Sequence, residues 1–329
     1  MLTISNSRIN LFRNCHYAHY LKYVKNLEKK TKAGPLQRGS IIHECIELHN
    51  KGEKWEPALK KFSTEFYKTT FKEEIVEMGD IPKMVQELLE NYFHHYAKES
   101  ITYLKNELHF TLPLIKGVEI EGYIDAVIKD GSKRTWGMET KTYSKTPDRD
   151  FLMFNGQSAL YTWAMEQLEY KPEGMLWNVI KAKEPTKPKM TEKTKKLSLA
   201  KLDSTPYTII KGIKELGLNP KDYTEFINNH DYESYLYRHF IRINKSVTKF
   251  IMEDVKSTAQ NILDSGETIK DRNLSKNCSW CSFKEICQAE LMGLDTDYII
   301  KSEYKIREKG GKKDEKEKGK IKTARGNRK

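Results

Sequence analysis

An acid and a base lie two residues apart in the stretch TWGMETKTYSK, 135–145, where Glu139 is followed by Lys141. The alternation of residue types predicts a strand, in which residues i and i+2 point to the same face. Asp125 ends the run EGYID in the preceding predicted strand, and the sequence KDG at 129–131 supplies a turn. Neighbouring antiparallel strands would bring the two carboxylates together, where they repel each other unless a cation lies between them.

Mg²⁺ and Mn²⁺ prefer carboxylate oxygens and keep coordination positions for water and for a substrate phosphate. Lys141 could then neutralise that phosphate or orient the attacking water. We do not expect it to act as a free base, because the reference pKa of lysine is ~10.4. On these residues alone, the stretch is either a surface ion pair or half of a metal-dependent active site.

A second group of residues with chemical potential is the cysteine run NCSWCSFKEIC, which contains Cys278, Cys281 and Cys287. Five cysteines, an odd number, argue against a disulfide framework in a chain that we expect to be cytoplasmic. Three thiols within ten residues predict a metal centre. Such a centre needs a fourth ligand, and Cys15 is the candidate.

Structural zinc is the competing interpretation of the cysteine run, with His16 or His19 in place of one thiolate. Cys45 lies outside the spacing, and we expect it to be a buried free thiol.

Positive charge is concentrated in two segments of this 329-residue chain of net charge +12. Residues 304–329 contain 12 Lys or Arg against 4 Asp or Glu, and residues 181–201 contain 8 Lys against 2 Glu. Basic segments favour polyanions such as nucleic acids, although a solvated tail and loop that serve only solubility remain the alternative. We expect a cytoplasmic protein without a membrane span, because no apolar run approaches ~20 residues and no signal-peptide pattern opens the chain.

The hydrophobic periodicity predicts an α/β or α+β core with a helical N-terminal part. We expect helices at 5–23, 37–50, 56–78, 82–104 and 152–168, a three-stranded meander from about 103 to 144, and a further strand at 174–182. The basic segment 181–201 is a predicted loop, 205–263 is predicted to be mainly helical, and the apolar-poor tail from about 307 is predicted to be disordered.

Several motifs occur in a fixed chain order: Cys15, GSIIH with His43, GYID with Asp125, ETK with Glu139 and Lys141, QSALY with Gln157 and Tyr161, and C-x2-C-x5-C. In this order they resemble the RecB-like branch of the PD-(D/E)XK nuclease superfamily over about residues 5–290. The resemblance is to members with an iron–sulfur cluster, which include CRISPR-adaptation exonucleases, AddB-type nuclease domains and related phage exonucleases.

The resemblance implies a restriction-endonuclease-like core in which a mixed central sheet is flanked by helices. We expect a single nuclease domain over 1–303 and, from the composition, a disordered basic tail at 304–329. Within that domain, residues 107–180 form the catalytic core, 181–263 form a basic loop and a helical insertion, and 271–290 bind the cluster.

The resemblance also implies roles for individual residues. Asp125, Glu139 and His43 would bind Mg²⁺ or Mn²⁺, and Lys141 would serve the hydrolytic water. Gln157 and Tyr161, four residues apart on one helical face, would line the DNA path, and Glu107 could be the core acid before the first strand. Four cysteines would hold a [4Fe–4S] cluster that joins the helical N-terminal and C-terminal parts: Cys15, Cys278, Cys281 and Cys287.

The function that the resemblance implies is a metal-dependent exonuclease acting on single-stranded DNA or DNA ends. Its setting would be recombination, replication or repair in a bacterial cell or a phage-infected host, with a homo-oligomer or a protein partner possible. No Walker-type motif is present, so no ATP-driven motor is expected in the chain. Two alternatives are a non-catalytic DNA-binding subunit, disfavoured because the acids and the lysine are all present, and a CRISPR-adaptation partner.

Overall fold

The computed structural model describes residues 1–31, 34–145, 147–198, 200, 202–229 and 235–307. The chain divides into two compact units. The larger unit comprises Met1–Asn10 and Lys32–Asp264, and the smaller comprises Leu11–Thr31 and Ser265–Lys329, of which the described part ends at residue 307. The smaller unit therefore joins a segment near the start of the chain to a segment near its end.

The described residues form eight strands: β1 Leu2–Ser5, β2 Leu27–Lys29, β3 Thr102–Ile115, β4 Val118–Lys129, β5 Thr135–Tyr143, β6 Pro172–Lys181, β7 Leu236–Arg242 and β8 Tyr304–Ile306. The same part of the chain holds thirteen α-helices: α1 Asn6–Asn14, α2 His16–His19, α3 Gly34–Asn50, α4 Glu56–Thr69, α5 Lys72–Met78, α6 Ile81–Tyr96, α7 Arg149–Met153, α8 Gly156–Gln167, α9 Pro206–Glu215, α10 Thr224–Asn228, α11 Lys245–Ser265, α12 Lys284–Leu291 and α13 Asp297–Glu303.

A six-stranded mixed sheet organises the larger unit, in the order β1-β4-β5-β6-β7, with β3 also paired to β4. The strands β3, β4 and β5 form the expected antiparallel meander, while β6 runs parallel to β5 and β7 antiparallel to β6. Along its other edge, β4 pairs first with β1 at 118–121 and then with β5 at 126–129. The mixed α/β class predicted from the sequence is confirmed.

Helices pack on the sheet because their apolar residues share one face. The buried residues of α3 and α6 form one core cluster with Ile180 of β6 and Leu236 of β7. On α8, Met165 lies against Gly137 of β5, where an added Cβ would be 2.8 Å from the Met165 sulfur. Gly137 thus allows α8 to approach the sheet closely.

Four of the described strands were not predicted: β1, β2, β7 and β8, the last of which lies at the start of the expected disordered tail. The run Leu236–Arg242 lies inside the region expected to be mainly helical, but it forms β7. The physical reason is β6, which is buried on both faces and needs a hydrogen-bonding neighbour at each edge. The tyrosine, phenylalanine and isoleucine of β7 suit that position. Residues 2–5 form β1 because they pair with β4, and the first residue of the expected helix, Ser5, therefore belongs to this strand.

Several helices were predicted to be longer than they are. The helix expected at 5–23 is divided into α1, α2 and a π-helical turn, Tyr20–Val24. The helix expected at 56–78 is two helices, and the one expected at 82–104 ends at Tyr96 before β3 begins. The basic loop contains an antiparallel bridge between Met190 and Leu197. Residues 308–329, which make up most of the predicted tail, lie outside the described residues.

The smaller unit has its own sheet and core. β2 pairs antiparallel with β8, so that Leu27 lies opposite Ile306. Its core joins residues from both of its segments: Tyr17, Ala18, Leu21, Leu27, Phe283, Ile286 and Tyr304. Across the described residues of both units, no helix combines the length and the apolar character needed to cross a membrane.

Candidate functional site

The register of β4 and β5 brings the two predicted acids together. Ala126 pairs with Met138, and Asp125 and Glu139 are the next residues on their strands. The backbone N–H of Thr140 donates a hydrogen bond to Asp125 Oδ2 at 2.7 Å. Asp125 also lies in the part of β4 between its pairing with β1 and its pairing with β5.

Glu139 is 3% exposed, and only one of its two carboxylate oxygens forms a hydrogen bond or an ion pair with the described residues. Oε1 pairs with the Lys141 ammonium and accepts a 3.0 Å hydrogen bond from Gln157 Nε2. Gln157 Nε2 also donates to the Tyr161 hydroxyl at 2.9 Å. Oε2 is buried and has no hydrogen-bond partner among the described residues.

The pKa values of the pair follow from burial and from the second acid. Burial and, to a smaller extent, repulsion from Asp125 together raise the pKa of Glu139 to about 7, against the opposing effect of Lys141. Burial lowers the pKa of Lys141, but the charges of Glu139 and Asp125 outweigh it, so the pKa is raised. Lys141 therefore remains an ammonium ion at neutral pH.

His43 reaches this site from α3. Its Nδ1 lies 3.3 Å from Asp125 Oδ1. Burial lowers the pKa of His43, but the hydrogen bond and the charge of Asp125 outweigh burial and raise it. On the same helix, Ile42, Cys45 and Ile46 are buried in the core, which fixes the rotation of α3 and turns His43 toward the acids.

A cavity of about 50 Å³ adjoins these residues and is lined by His43, Asp125 and Thr140 together with Glu47, Asn50 and Glu107. Glu107 has a positive φ of 48° in β3. Asn106 pairs with Ala126 and Leu108 with Ile124, so Glu107 lies opposite Asp125. Glu47 was not predicted, although its spacing of four residues from His43 on one helix could have indicated it.

Helix α8 positions the remaining two predicted residues. Its N-cap, Asn155, accepts a 2.9 Å hydrogen bond from the backbone N–H of Gln157, which fixes the first turn. Gln157 and Tyr161, one turn apart, then point together toward Glu139. We refer to His43, Asp125, Glu139, Lys141, Gln157 and Tyr161 as the acidic centre.

Each acid of this centre already forms an ion pair with a neighbouring side chain. The imidazole of His43 lies beside Asp125, and the ammonium of Lys141 lies beside Glu139. As the side chains stand, no group of three or more His, Cys, Asp or Glu residues within the described ranges is arranged to hold a metal ion. A metal would have to replace some of these cation contacts.

The four predicted cysteines, Cys15, Cys278, Cys281 and Cys287, line one cavity of about 600 Å³ within the smaller unit, which we call the cysteine cavity. Burial raises the pKa of Cys281, and the three other thiols raise it further, so all four lie within electrostatic reach of one another.

Hydrogen-bond donors surround these thiols. The backbone N–H of Phe283 donates to the Cys281 sulfur at 3.4 Å, and that of Ser275 donates to the Cys278 sulfur at 3.5 Å. Arg272 forms a side-chain hydrogen bond to Cys287. Neither of the alternative histidine ligands lines the cavity, and His16 Nδ1 lies 2.8 Å from the carboxylate of Asp271.

Comparisons with known proteins extend over most of the chain. The family model of the PD-(D/E)XK nuclease superfamily matches residues 3–288. A search of the curated proteins found no match. Among solved structures, one described as "Crystal structure of SSO0001" is similar, with 12% sequence identity and a TM-score of 0.30 over 71% of this chain and 81% of that one. With the family model covering both the acids and the cysteines, the chain belongs to the PD-(D/E)XK nuclease superfamily, and it is a nuclease-type hydrolase.

Proposed function

We propose that this protein is a metal-dependent exonuclease that hydrolyses phosphodiester bonds in single-stranded DNA or at DNA ends. The observation that carries the proposal is the state of Glu139, a buried carboxylate beside a second acid with one oxygen unpartnered. In a surface ion pair, both carboxylate oxygens would be exposed to water. Burying an incompletely satisfied charge costs stability, and such costs are typical of functional sites.

The donor set fits a hard divalent cation. Asp125 and Glu139 would hold Mg²⁺ or Mn²⁺, which suit carboxylate ligands, and His43 would add an imidazole nitrogen. The free Oε2 of Glu139 supplies one donor atom without breaking any existing hydrogen bond. When bound, the ion would supply a water of lowered pKa and an electrophile for the phosphoryl oxygen.

The protein's own residues would prepare this reaction. The Lys141 ammonium supplies a fixed positive charge where negative charge develops on the phosphoryl group. Gln157 holds Oε1 of Glu139, and the Thr140 N–H holds Oδ2 of Asp125, so that both carboxylates keep their orientation. The Tyr161 hydroxyl, which accepts from Gln157, would orient the strand beside them.

We propose further that the cysteine cavity holds a [4Fe–4S] cluster and that the protein belongs to the RecB-like branch. The support is the convergence of four thiols on one cavity, with N–H donors to two sulfurs. Hydrogen bonds to ligating sulfurs are a known determinant of cluster properties. The cluster would link Cys15 to ligands more than 250 residues later in the chain.

Anaerobic purification followed by iron, zinc and acid-labile sulfide analysis tests the cluster. We expect four irons and four sulfides per chain, both lost in Cys281→Ser and both kept in Cys45→Ala, a cysteine outside the cavity. A colourless protein with one zinc and no sulfide would contradict the cluster and support the structural-zinc alternative.

The basic segment 181–201 would contact the DNA backbone. Lys181, Lys183 and Lys187 pair with acids, but four lysines are exposed and have no ion pair with any described residue: Lys189, Lys193, Lys195 and Lys196. Each phosphate contact that they make should add about 0.7 to the salt dependence of single-strand binding. Replacing all four by serine keeps Met190 and Leu197, which pack in a core cluster. Unchanged binding across a salt series would refute this contact.

The decisive experiment for the function is a time course with linear single- and double-stranded DNA labelled at the 5′ or the 3′ end. Each reaction contains Mn²⁺, Mg²⁺ or chelator, and wild type is compared with Asp125→Asn. Metal-dependent release of terminal nucleotides, absent in Asp125→Asn, is the expected result, and the first label released gives the polarity. DNA binding without cleavage in either protein would instead support the non-catalytic DNA-binding alternative. A role in bacterial or phage DNA recombination, replication or repair, alone or with a partner, is part of the same proposal.

A further inference from the structure

A second cavity in the larger unit lies at the edge strand β7 and combines cations with aromatic rings. Its volume is about 490 Å³, and it shares no residue with the acidic centre. We call it the arginine pocket, and its relevant lining residues are Arg134, Trp136, Arg149, Met153, Phe240 and Arg242.

The acid nearest to Arg134 is already satisfied by its own turn. Asp130 accepts a 2.8 Å hydrogen bond from Arg134 Nε and a 3.0 Å bond from Trp136 Nε1. It also accepts bonds from the backbone N–H groups of Ser132 and Arg134. Both carboxylate oxygens of Asp130 therefore already accept hydrogen bonds within the turn. The side chain of Arg134 is still 43% exposed at the pocket.

The other two arginines are less constrained. Arg242 Nε lies 3.6 Å from Glu173 Oε2, and both side chains are largely exposed, which makes this a weak pair. Arg149 forms no ion pair with any acid in the described part of the chain. The residues that line the pocket include three arginines and no acid, so the pocket favours an anion.

Two aromatic rings line the pocket, and one of them is buried while the other is partly exposed. Trp136 is 2% exposed and held by its bond to Asp130. The Phe240 ring meets Trp136 edge-on at 4.9 Å between centroids and is 37% exposed. Phe240 therefore offers a supported aromatic face to a planar ligand.

The pocket is coupled to the acidic centre through shared elements. On β5, Trp136 precedes Glu139 by three residues, about 10 Å along the strand, and its side chain points to the opposite face of the sheet. On the other side, only residues 154–156 separate Met153 from Gln157. The connection from the acidic centre to the pocket therefore lies on the side of α7 and α8, and not along one face of β5.

We propose that the arginine pocket binds one nucleotide of single-stranded DNA, with its base on Phe240 and its phosphates on Arg149 and Arg242. The choice of DNA rests on the proposed function, whereas the chemistry of the site rests on the pocket itself. Aromatic stacking combined with cationic backbone contacts is the usual physical basis of single-strand binding. The pocket would hold the strand at a position separate from the bond being cut.

The test is fluorescence anisotropy with a labelled 12-nucleotide oligothymidylate and with an abasic strand of the same length, in chelator and over a salt series. Phe240→Ala should weaken oligothymidylate binding by about 5- to 100-fold and leave abasic binding unchanged. Arg149→Ala and Arg242→Ala should weaken both ligands and lower the salt slope by about 0.7 each. Lys256→Ala, which removes an exposed cation on α11, is the matched control and should behave as wild type.

Three outcomes would overturn the proposal: no binding by wild type, wild-type binding by Phe240→Ala and Arg149→Ala, or an equal loss in Lys256→Ala. Arg149 lies at the surface, so its variant tests the site even if Phe240→Ala fails to fold. Because no metal is present, binding here is independent of cleavage. Pocket-dependent binding by a protein that never cuts DNA would refute the nuclease proposal alone.

Discussion

Two groups of acids and lysines in the larger unit have the same residue types and opposite pKa shifts. In the acidic centre, burial and the neighbouring charge of Asp125 together raise the pKa of Glu139 to about 7. In the second group, burial also raises the pKa of Asp203, but hydrogen bonds and charges from Lys181 and Lys183 outweigh it, so that the pKa is lowered.

The difference is one of environment rather than of pairing. Asp203 is 33% exposed and lies 2.6 Å from one ammonium and 2.7 Å from another, so both oxygens have partners. Glu139 is 3% exposed and faces another carboxylate, with Oε2 unpartnered. An acid–lysine contact is therefore weak evidence of function by itself, whereas burial beside a like charge is stronger evidence.

The largest expected effect comes from Glu139→Gln, which keeps the shape of the side chain and removes its charge. We expect cleavage to fall by about 10³-fold, similar to the loss of one essential electrostatic group in other enzymes. Stability should not fall, because the variant no longer buries an incompletely satisfied carboxylate. Single-turnover cleavage and urea denaturation in chelator measure the two quantities.

The matched control for this prediction is Asp203→Asn, which should cleave DNA as fast as wild type. If Glu139→Gln were destabilised by more than about 1 kcal/mol, or cleaved at the wild-type rate, Glu139 would be an ordinary structural acid.

An intermediate effect on stability is expected for Asn178, which is fully buried on β6 and pairs with Thr140 of β5. Its Nδ2 donates to Thr140 Oγ1 at 3.0 Å and to the Tyr92 hydroxyl at 2.9 Å, and its Oδ1 accepts from Arg238 Nε at 3.0 Å. Asn178→Ala leaves these buried groups unpaired and should lower the free energy of unfolding by about 2–3 kcal/mol.

The exposed Asn228→Ala on α10 serves as the control for Asn178 and should change stability by less than about 0.5 kcal/mol. A similar small change in Asn178→Ala, measured by denaturation, would show that this network does not support the strand.

The smallest effect concerns Asp203. Its pKa in the folded protein is lowered, so its ion pairs contribute stability above the pKa of the unfolded chain and lose that contribution as the pH falls through the folded pKa. Asp203→Asn should therefore be less stable than wild type by about 1 kcal/mol or less at pH 7, and the difference should begin to shrink near about pH 4 and vanish below the lowered pKa of the folded protein.

Thermal melting over a pH series measures this difference, with the exposed Asp254→Asn as control. A difference that persists at low pH would mean that Asp203 acts through packing and not through charge.

The strands that position the acidic centre could be predicted from the sequence because their signals are local. Alternation in 118–143 and the KDG turn define the antiparallel pair, and that pair fixes Asp125 opposite Glu139. The spacing of Gln157 and Tyr161 likewise defines one helical face. These contacts follow from neighbouring elements of the chain.

The features that were missed depend on distant partners. β7 is a strand because β6 needs a neighbour, and an isolated window at 236–242 does not reveal that partner. Glu107 was suggested as an acid before the first strand, but its residue type does not indicate its position within β3, opposite Asp125, with a positive φ. The arginine pocket is assembled from β5, β7 and α7, so spacing along the chain gave no sign of it.

The most direct test of the central claim is single-turnover cleavage of end-labelled single-stranded DNA in Mn²⁺ by Lys141→Ala, compared with Lys183→Ala. Lys183 pairs with Asp203 and is 56% exposed, so it is the matched lysine from the second group. We predict that Lys141→Ala cuts about 10³-fold more slowly than wild type and that Lys183→Ala remains within about twofold. Cleavage by Lys141→Ala at the rate of wild type would contradict the account and make Glu139–Lys141 a structural ion pair.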